Sequence, residues 1–208
     1  MDIVAPEIES YLDHLLPSED EILEEMEREA EKRRFPIVGP QVGRLLSQMA
    51  RILGANRIFE MGSGFGYSAY WFLKGMPRGG QVILTDDSKE NLERARDFLK
   101  RAKLLDRVIL EAGDALEVIN RYPGPFDIIF NDIDKEQYPQ VFQKALPRLR
   151  SGGLLISDNV LWFGRILTDS REPDVEGIRT YNQLISKTRE VYSTIIPIRD
   201  GVSISFKN

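Results

Sequence analysis

The sequence has no cysteine and only one histidine, His14. The first absence excludes a disulfide, a thiolate metal site and a cysteine nucleophile. The second leaves neither a Ser–His relay nor a multi-histidine metal centre to build. Long apolar runs are also missing: nothing approaches the ~18 consecutive apolar residues of a membrane-spanning helix. Met1-Asp2-Ile3-Val4 carries no basic leader region, so a cytoplasmic location with no membrane partner is expected. A basic excess is lacking as well. Lys and Arg number 28 against 33 Asp and Glu, a net charge of -5, which leaves no broad basic face for nucleic acid. What remains is 208 residues, 42% hydrophobic and 29% charged, enough for one globular domain with a sizeable core.

The hydrophobic pattern alternates between short apolar runs and segments of helical period. Residues 1–34 read as an N-terminal helical extension and 35–208 as an α/β core, with no linker between them. In the extension, Ile8, Tyr11, Leu12, Leu15 and Leu16 share one helical face up to Pro17. Ser18 with Glu21 forms a capping-box pattern ahead of a charged helix over 19–33, whose charge run reads as a solvated face with Ile22, Leu23 and Met26 inward. Residues 35–40 form an extended connector. A helix over 41–53 turns Leu45, Leu46, Met49 and Ile52 inward and stops at Gly54. Strands are predicted over 57–61, 81–85, 107–111, 126–130 and 153–157, with helices over 67–74, 88–102, 115–121 and 137–149 between them. A loop over 160–173 exposes Trp162 and Phe163. A helix over 175–187 precedes two strands, 191–198 and 202–206, joined by the hairpin signal Arg199-Asp200-Gly201. This alternation predicts a doubly wound, mostly parallel seven-stranded sheet with its last strand antiparallel.

The centre of the pattern is Glu60-Met61-Gly62-Ser63-Gly64-Phe65-Gly66-Tyr67-Ser68, a strand, a glycine turn and a helix start. Such a turn is either structural or a seat for a small anion on free helix N–H groups. The strands end in Glu60, Asp86, Asp114, Asp132 and Asp158-Asn159, where open parallel sheets bind ligands. Asp86, 22 residues after Gly64, stands where an acid accepts ribose hydroxyls. The spacing Gly62-x-Gly64-x-Gly66 departs from G-x-G-x-x-G and leans against a dinucleotide; a lone ribose with an amino-acid carboxylate fits better. Asp132, Asp158 and Asn159 offer only oxygen donors, the set for a hard cation such as Mg²⁺. Lys135 is either a solvated helix-start lysine or a base whose ammonium is made more acidic by burial and a nearby cation.

These motifs carry a resemblance. Gly39-Pro40-Gln41-Val42-Gly43, the 60–68 turn, Asn131-Asp132-Ile133-Asp134-Lys135-Glu136-Gln137-Tyr138, Ser157-Asp158-Asn159-Val160-Leu161-Trp162 and Asp200-Gly201 resemble the class I S-adenosylmethionine-dependent methyltransferases. More narrowly, they resemble the cation-dependent O-methyltransferases of the catechol and caffeoyl-CoA type, over nearly the whole chain from about Ser18. The resemblance implies a Rossmann-like fold, S-adenosylmethionine as cofactor, a divalent cation (Mg²⁺ before others) and a homodimer. It implies that Gly62 and Ser68 hold the methionine moiety, with Ser68 on its carboxylate and Val38 and Glu60 lining that region. Asp86 would take the ribose, Asp114 and Ala115 would lie by the adenine, and Asp132, Asp158 and Asn159 would bind the cation, Asp132 also near the cofactor. Lys135 would be the general base. Two departures stand out: Asn131 where relatives carry a hydrophobic residue, and Phe163 where many carry Ser or Pro.

The expected reaction is methyl transfer to a hydroxyl beside a second oxygen on a small molecule. Trp162 and Phe163 either wall a flat acceptor or pack the loop on the core or a partner subunit. A second reading changes the acceptor to a hydroxylated uridine in tRNA, with Lys32, Arg33, Arg34 and Arg165 as phosphate contacts. A third is a non-catalytic, cofactor-binding dimeric module, and a fourth a nicotinamide dehydrogenase.

Overall fold

The computed structural model describes residues 3–17 and 20–208. In chain order, helices α1 (Pro6–Leu15), α2 (Glu21–Arg33) and α3 (Gly39–Leu53) precede β1 (Arg57–Met61), α4 (Tyr67–Gly75), β2 (Gln81–Asp86), α5 (Lys89–Arg101) and β3 (Val108–Ala112). There follow α6 (Ala115–Val118), β4 (Phe126–Asn131), α7 (Tyr138–Ala145), β5 (Leu149–Ser157), α8 (Pro173–Lys187), β6 (Val191–Ile196) and β7 (Val202–Lys207). The sheet order is β3-β2-β1-β4-β5-β7-β6. Strands β1 to β5 are parallel, and β7 runs antiparallel to both its neighbours. This is the doubly wound sheet that the sequence predicts.

Alternation along the strands builds two cores. Ile58, Val82, Leu84, Ile128 and Phe130 point to the face covered by α3, α4 and α5. Their neighbours Phe59, Ile83 and Ile129 point to the face covered by α6, α7 and α8. With both faces covered, the central strands carry continuous apolar runs, Val82-Ile83-Leu84 and Ile128-Ile129-Phe130 among them, and each buried large side chain contributes about 1.5–3 kcal/mol. No helix among the described residues is long and apolar enough to cross a membrane.

Several boundaries differ from expectation. Ser18 lies outside the described residues; α2 is capped by Asp20, whose Oδ1 accepts from Leu23 N at 2.9 Å. The charge run of α2 is only partly solvated. Glu25 pairs with Arg101 and Glu29 with Arg94, both on α5, and Glu27 accepts the Tyr67 hydroxyl at 2.6 Å. The extended connector stops at Val38, because Pro40 suits the first turn of α3. Within α3 the buried face is Val42, Leu46 and Ala50, and Ile52 is 79% exposed. Gly43 sets that rotation: a Cβ there would lie 2.3 Å from Trp71 Nε1, so the glycine edge lets α4 approach closely. Strand β5 starts at Leu149, ahead of the expected 153, because Leu149 pairs with Phe126 across a register shift. The helix expected over 137–149 is α7 flanked by short 3-10 turns.

Candidate active site

The polar strand ends converge as the topology requires. Beyond the carboxyl ends of β1, β2, β4 and β5 lies a cleft of about 650 Å³. Val38, Gly62, Ser68, Asp86, Asp114, Ala115, Asp132, Lys135, Asp158, Asn159, Trp162 and Phe163 all line it. Glu60 does not; it is fully buried behind Ser68.

The glycine turn shapes one end. Gly62 has φ +78°, and a Cβ on it would lie 2.5 Å from the Asp132 carbonyl oxygen, so β1 and β4 meet there without side-chain room. Gly66 caps α4 in the left-handed region and gives no side-chain cap, which leaves the first helical N–H groups uncapped where Tyr67 and Ser68 line the cleft. Asp86 accepts from Gly64 N at 2.9 Å through one oxygen, and from Ser88 N and Asn91 Nδ2 through the other. Burial raises its carboxyl pKa. Asp114 caps α6, accepting from Leu116 N at 2.7 Å. Burial pushes the Glu60 carboxyl up to about 8 against the opposing Ser68 hydrogen bond, with Asp132 and Asp86 adding to the rise.

The other end is acidic. Asp158 is 4% exposed. Burial lifts its carboxyl pKa above the usual range, and the charge of Asp132 lifts it further. Burial also raises Asp132, against the pull of Lys135. Lys135 Nζ donates to Asp132 Oδ1 at 2.8 Å and to the Ile133 carbonyl at 3.1 Å. Its side chain is 11% exposed, with the Tyr138 and Trp162 rings 5.2 and 5.5 Å from the ammonium. Of the two open roles for this residue, the solvated lysine does not match its place in the fold.

Among the described residues, no three His, Cys, Asp or Glu side chains gather into a metal-holding group. The set brought to the cleft has a different composition: the buried carboxylate of Asp158, the partly exposed carboxylate of Asp132, whose charge disfavours that of Asp158, and the Asn159 amide. Such a set fits a hard divalent cation that also keeps oxygen ligands from outside the protein.

Trp162 Nε1 donates to Asp174 Oδ2 at 2.8 Å, which pins one face of the loop. Phe163 is 58% exposed beside it. Sequence reasoning passed over Phe35, Pro36 and Ile37, which line this cleft and a second cavity of about 970 Å³. Phe35 also packs on Phe65 of the glycine turn at 5.2 Å between ring centroids. The aromatic residue before Pro36 was the available signal. Arg199 and Asp200 line the second cavity with Asp158, Asn159 and Phe163.

A family-wide profile described as O-methyltransferase matches residues 13–208. A catechol O-methyltransferase of Niastella koreensis is 32% identical over 196 residues, covering 91% of this chain and 89% of its own. An O-methyltransferase structure from Bacillus cereus, in complex with SAH, superposes with a TM-score of 0.89 at 32% identity, covering 97% of both chains. One from Streptomyces achromogenes, involved in tomaymycin synthesis and in complex with SAM, gives 0.89 at 27% identity, covering 97% of this chain and 96% of its own.

Proposed function

Because the chain belongs to the O-methyltransferase family, whose enzymes use S-adenosylmethionine, we propose that it methylates a hydroxyl adjacent to a second oxygen on a small, catechol-like molecule, with a divalent cation, Mg²⁺, in the site. One observation carries this reading. The carboxylates of Asp132 and the buried Asp158 line the same cleft as the glycine turn, with Lys135 Nζ 2.8 Å from Asp132.

The chain's residues divide the work. Ser68 and the open start of α4 receive the carboxylate of the cofactor, and Asp86 its ribose hydroxyls. Val38 and Gly62 close on the methionine moiety, and Asp114 and Ala115 border the adenine. The cofactor, when bound, supplies a sulfonium methyl. Asp132, Asp158 and Asn159 would hold the cation, which when bound makes an acceptor hydroxyl more acidic. Lys135 acts as a base only as the neutral amine: once its ammonium has released a proton to solvent and left its pair with Asp132, it takes the acceptor proton at Nζ. Trp162 and Phe163 wall the acceptor and exclude water. Alignment of acceptor oxygen and methyl is the main source of rate, about 7–11 kcal/mol where geometry is near ideal.

Two of the cations that a tRNA acceptor would need are engaged in ion pairs. Arg33 pairs with Glu29 and Glu90, and Arg165 with Glu172 and Asp174. That favours the small acceptor. We further propose a homodimer: α1 buries none of its residues and leaves Ile8, Tyr11 and Leu15 more than half exposed on one face. Methyl transfer from labelled S-adenosylmethionine to a catechol, with Mg²⁺ and with excess chelator, tests the reading.

A further inference from the structure

The turn between β6 and β7 does more than reverse the chain. It grips the loop that follows the metal-ligand candidates Asp158 and Asn159. Val160 N donates to the Gly201 carbonyl and Leu161 N to the Asp200 carbonyl, each at 3.0 Å. Phe163 N donates to Asp200 Oδ1. Gly201, at φ +86°, makes room for Leu161, whose Cγ would lie 2.4 Å from a Cβ. On the other side, Arg199 Nη1 donates to the Ile37 carbonyl at 2.9 Å. One short turn therefore touches both the 159–163 loop and the 35–38 connector, which border the same cleft.

The gripped loop has an unusual backbone. Asn159, Trp162 and Phe163 have φ of 55°, 46° and 52°, a region that residues with side chains rarely adopt. Local sequence does not favour three such residues in five, so contacts from outside the loop must select that conformation. Two side chains reach its far end: Asp174, which accepts from the Trp162 ring, and Asp200, which is only 6% exposed, bonds the backbone at Phe163 and has an Oδ2 that is buried without a hydrogen-bond partner among the described residues. A buried carboxylate with one oxygen idle is costly to keep. Its other oxygen is the acceptor for the peptide on which Phe163 turns.

We propose that Asp200 is a positioning residue of the acceptor site. Through Phe163 N it fixes the aromatic wall and, through the same loop, the direction in which Asn159 is presented. The wall's angle decides which of two neighbouring acceptor oxygens meets the methyl group, so Asp200 governs regioselectivity without touching the acceptor. This inference rests on the methyl-transfer reading of the same cleft.

The test compares Asp200→Ala and Asp200→Asn with the wild type on 3,4-dihydroxybenzoate, whose two hydroxyls are inequivalent. The 3-O to 4-O product ratio, the acceptor KM and cofactor affinity are measured. Asparagine keeps an oxygen to accept from Phe163 N; alanine does not. The expected result for Asp200→Ala is a product ratio moved by about 5-fold or more and an acceptor KM raised about 10-fold, with cofactor affinity within about 2-fold, while Asp200→Asn stays close to wild type. A folded Asp200→Ala with an unchanged ratio overturns the proposal, as does an asparagine variant as disturbed as the alanine one. Amide exchange in the ligand-free protein is read alongside, and it does not depend on the acceptor. Protection lost over 160–164 in Asp200→Ala, or in Asp200→Ser, whose shorter side chain does not reach Phe163 N, if the alanine variant does not fold, supports the proposal; unchanged protection in the variant read overturns it. A wild type that turns over no catechol counts against the functional reading instead, and leaves the exchange result to decide the role of Asp200.

Discussion

Ser68 donates its hydroxyl to Glu60, and the second oxygen of that fully buried carboxyl has no hydrogen-bond partner among the described residues. Burial keeps Glu60 protonated up to about pH 8, whereas the ordinary value is 4.5. Between those values the folded chain binds more protons than the unfolded one, so this group's contribution to stability is full below about 4.5 and is lost as pH rises towards 8. Asp132 and Asp158, also raised, act with the same sign. The ligand-free protein is therefore expected to melt at a lower temperature at pH 8 than at pH 5.5. Glu60→Gln, which still accepts from Ser68, should reduce that difference. Calorimetry across the window checks this, and equal pH slopes in the two proteins would count against it.

Lys135 is held to Asp132 at 2.8 Å between two aromatic rings. If it takes the acceptor proton, Lys135→Ala lowers kcat by about 10²-fold or more, while S-adenosylmethionine affinity changes little. Steady-state rates with a binding titration settle the assignment. Turnover within a few-fold of wild type would remove Lys135 from the chemistry.

Helix α1 presents Ile8, Tyr11 and Leu15 to its outer side. A homodimer that covers this face predicts a two-chain mass for the wild type by light scattering. Tyr11→Glu combined with Leu15→Glu should give a one-chain mass with unchanged helix content. A one-chain wild type would refute the dimer, and a double variant that stays two-chain would move the contact off α1.

The sheet was legible because every strand carries its own signal. Ile58-Phe59 and Ile128-Ile129 are apolar on both faces, and each run gives way to polar residues at the carboxyl end of its strand. The cleft side chains were legible for the same reason: once the sheet is parallel, Asp86, Asp132 and Asp158 share an edge. Ile52 was misplaced because the face of α3 is set by Gly43 and Trp71, a contact between helices that helical period does not encode. Phe35 and Asp200 were passed over as site residues because their roles depend on distant partners: Phe65 across the connector, and Phe163 across the sheet edge. Glu60 illustrates the opposite limit. Its place at the end of β1 was evident, but its lack of exposure follows from Ser68 standing between it and the cleft.

The most direct measurement is methyl transfer from labelled S-adenosylmethionine to 3,4-dihydroxybenzoate or caffeate, with Mg²⁺ and with excess EDTA, cofactor binding being confirmed in the same preparation. The account predicts O-methylated product with Mg²⁺ and none with EDTA, and recovery of activity when Mg²⁺ is restored. Equal turnover in EDTA would contradict the role given to Asp132, Asp158 and Asn159, and no turnover in either condition would contradict the catechol-like acceptor.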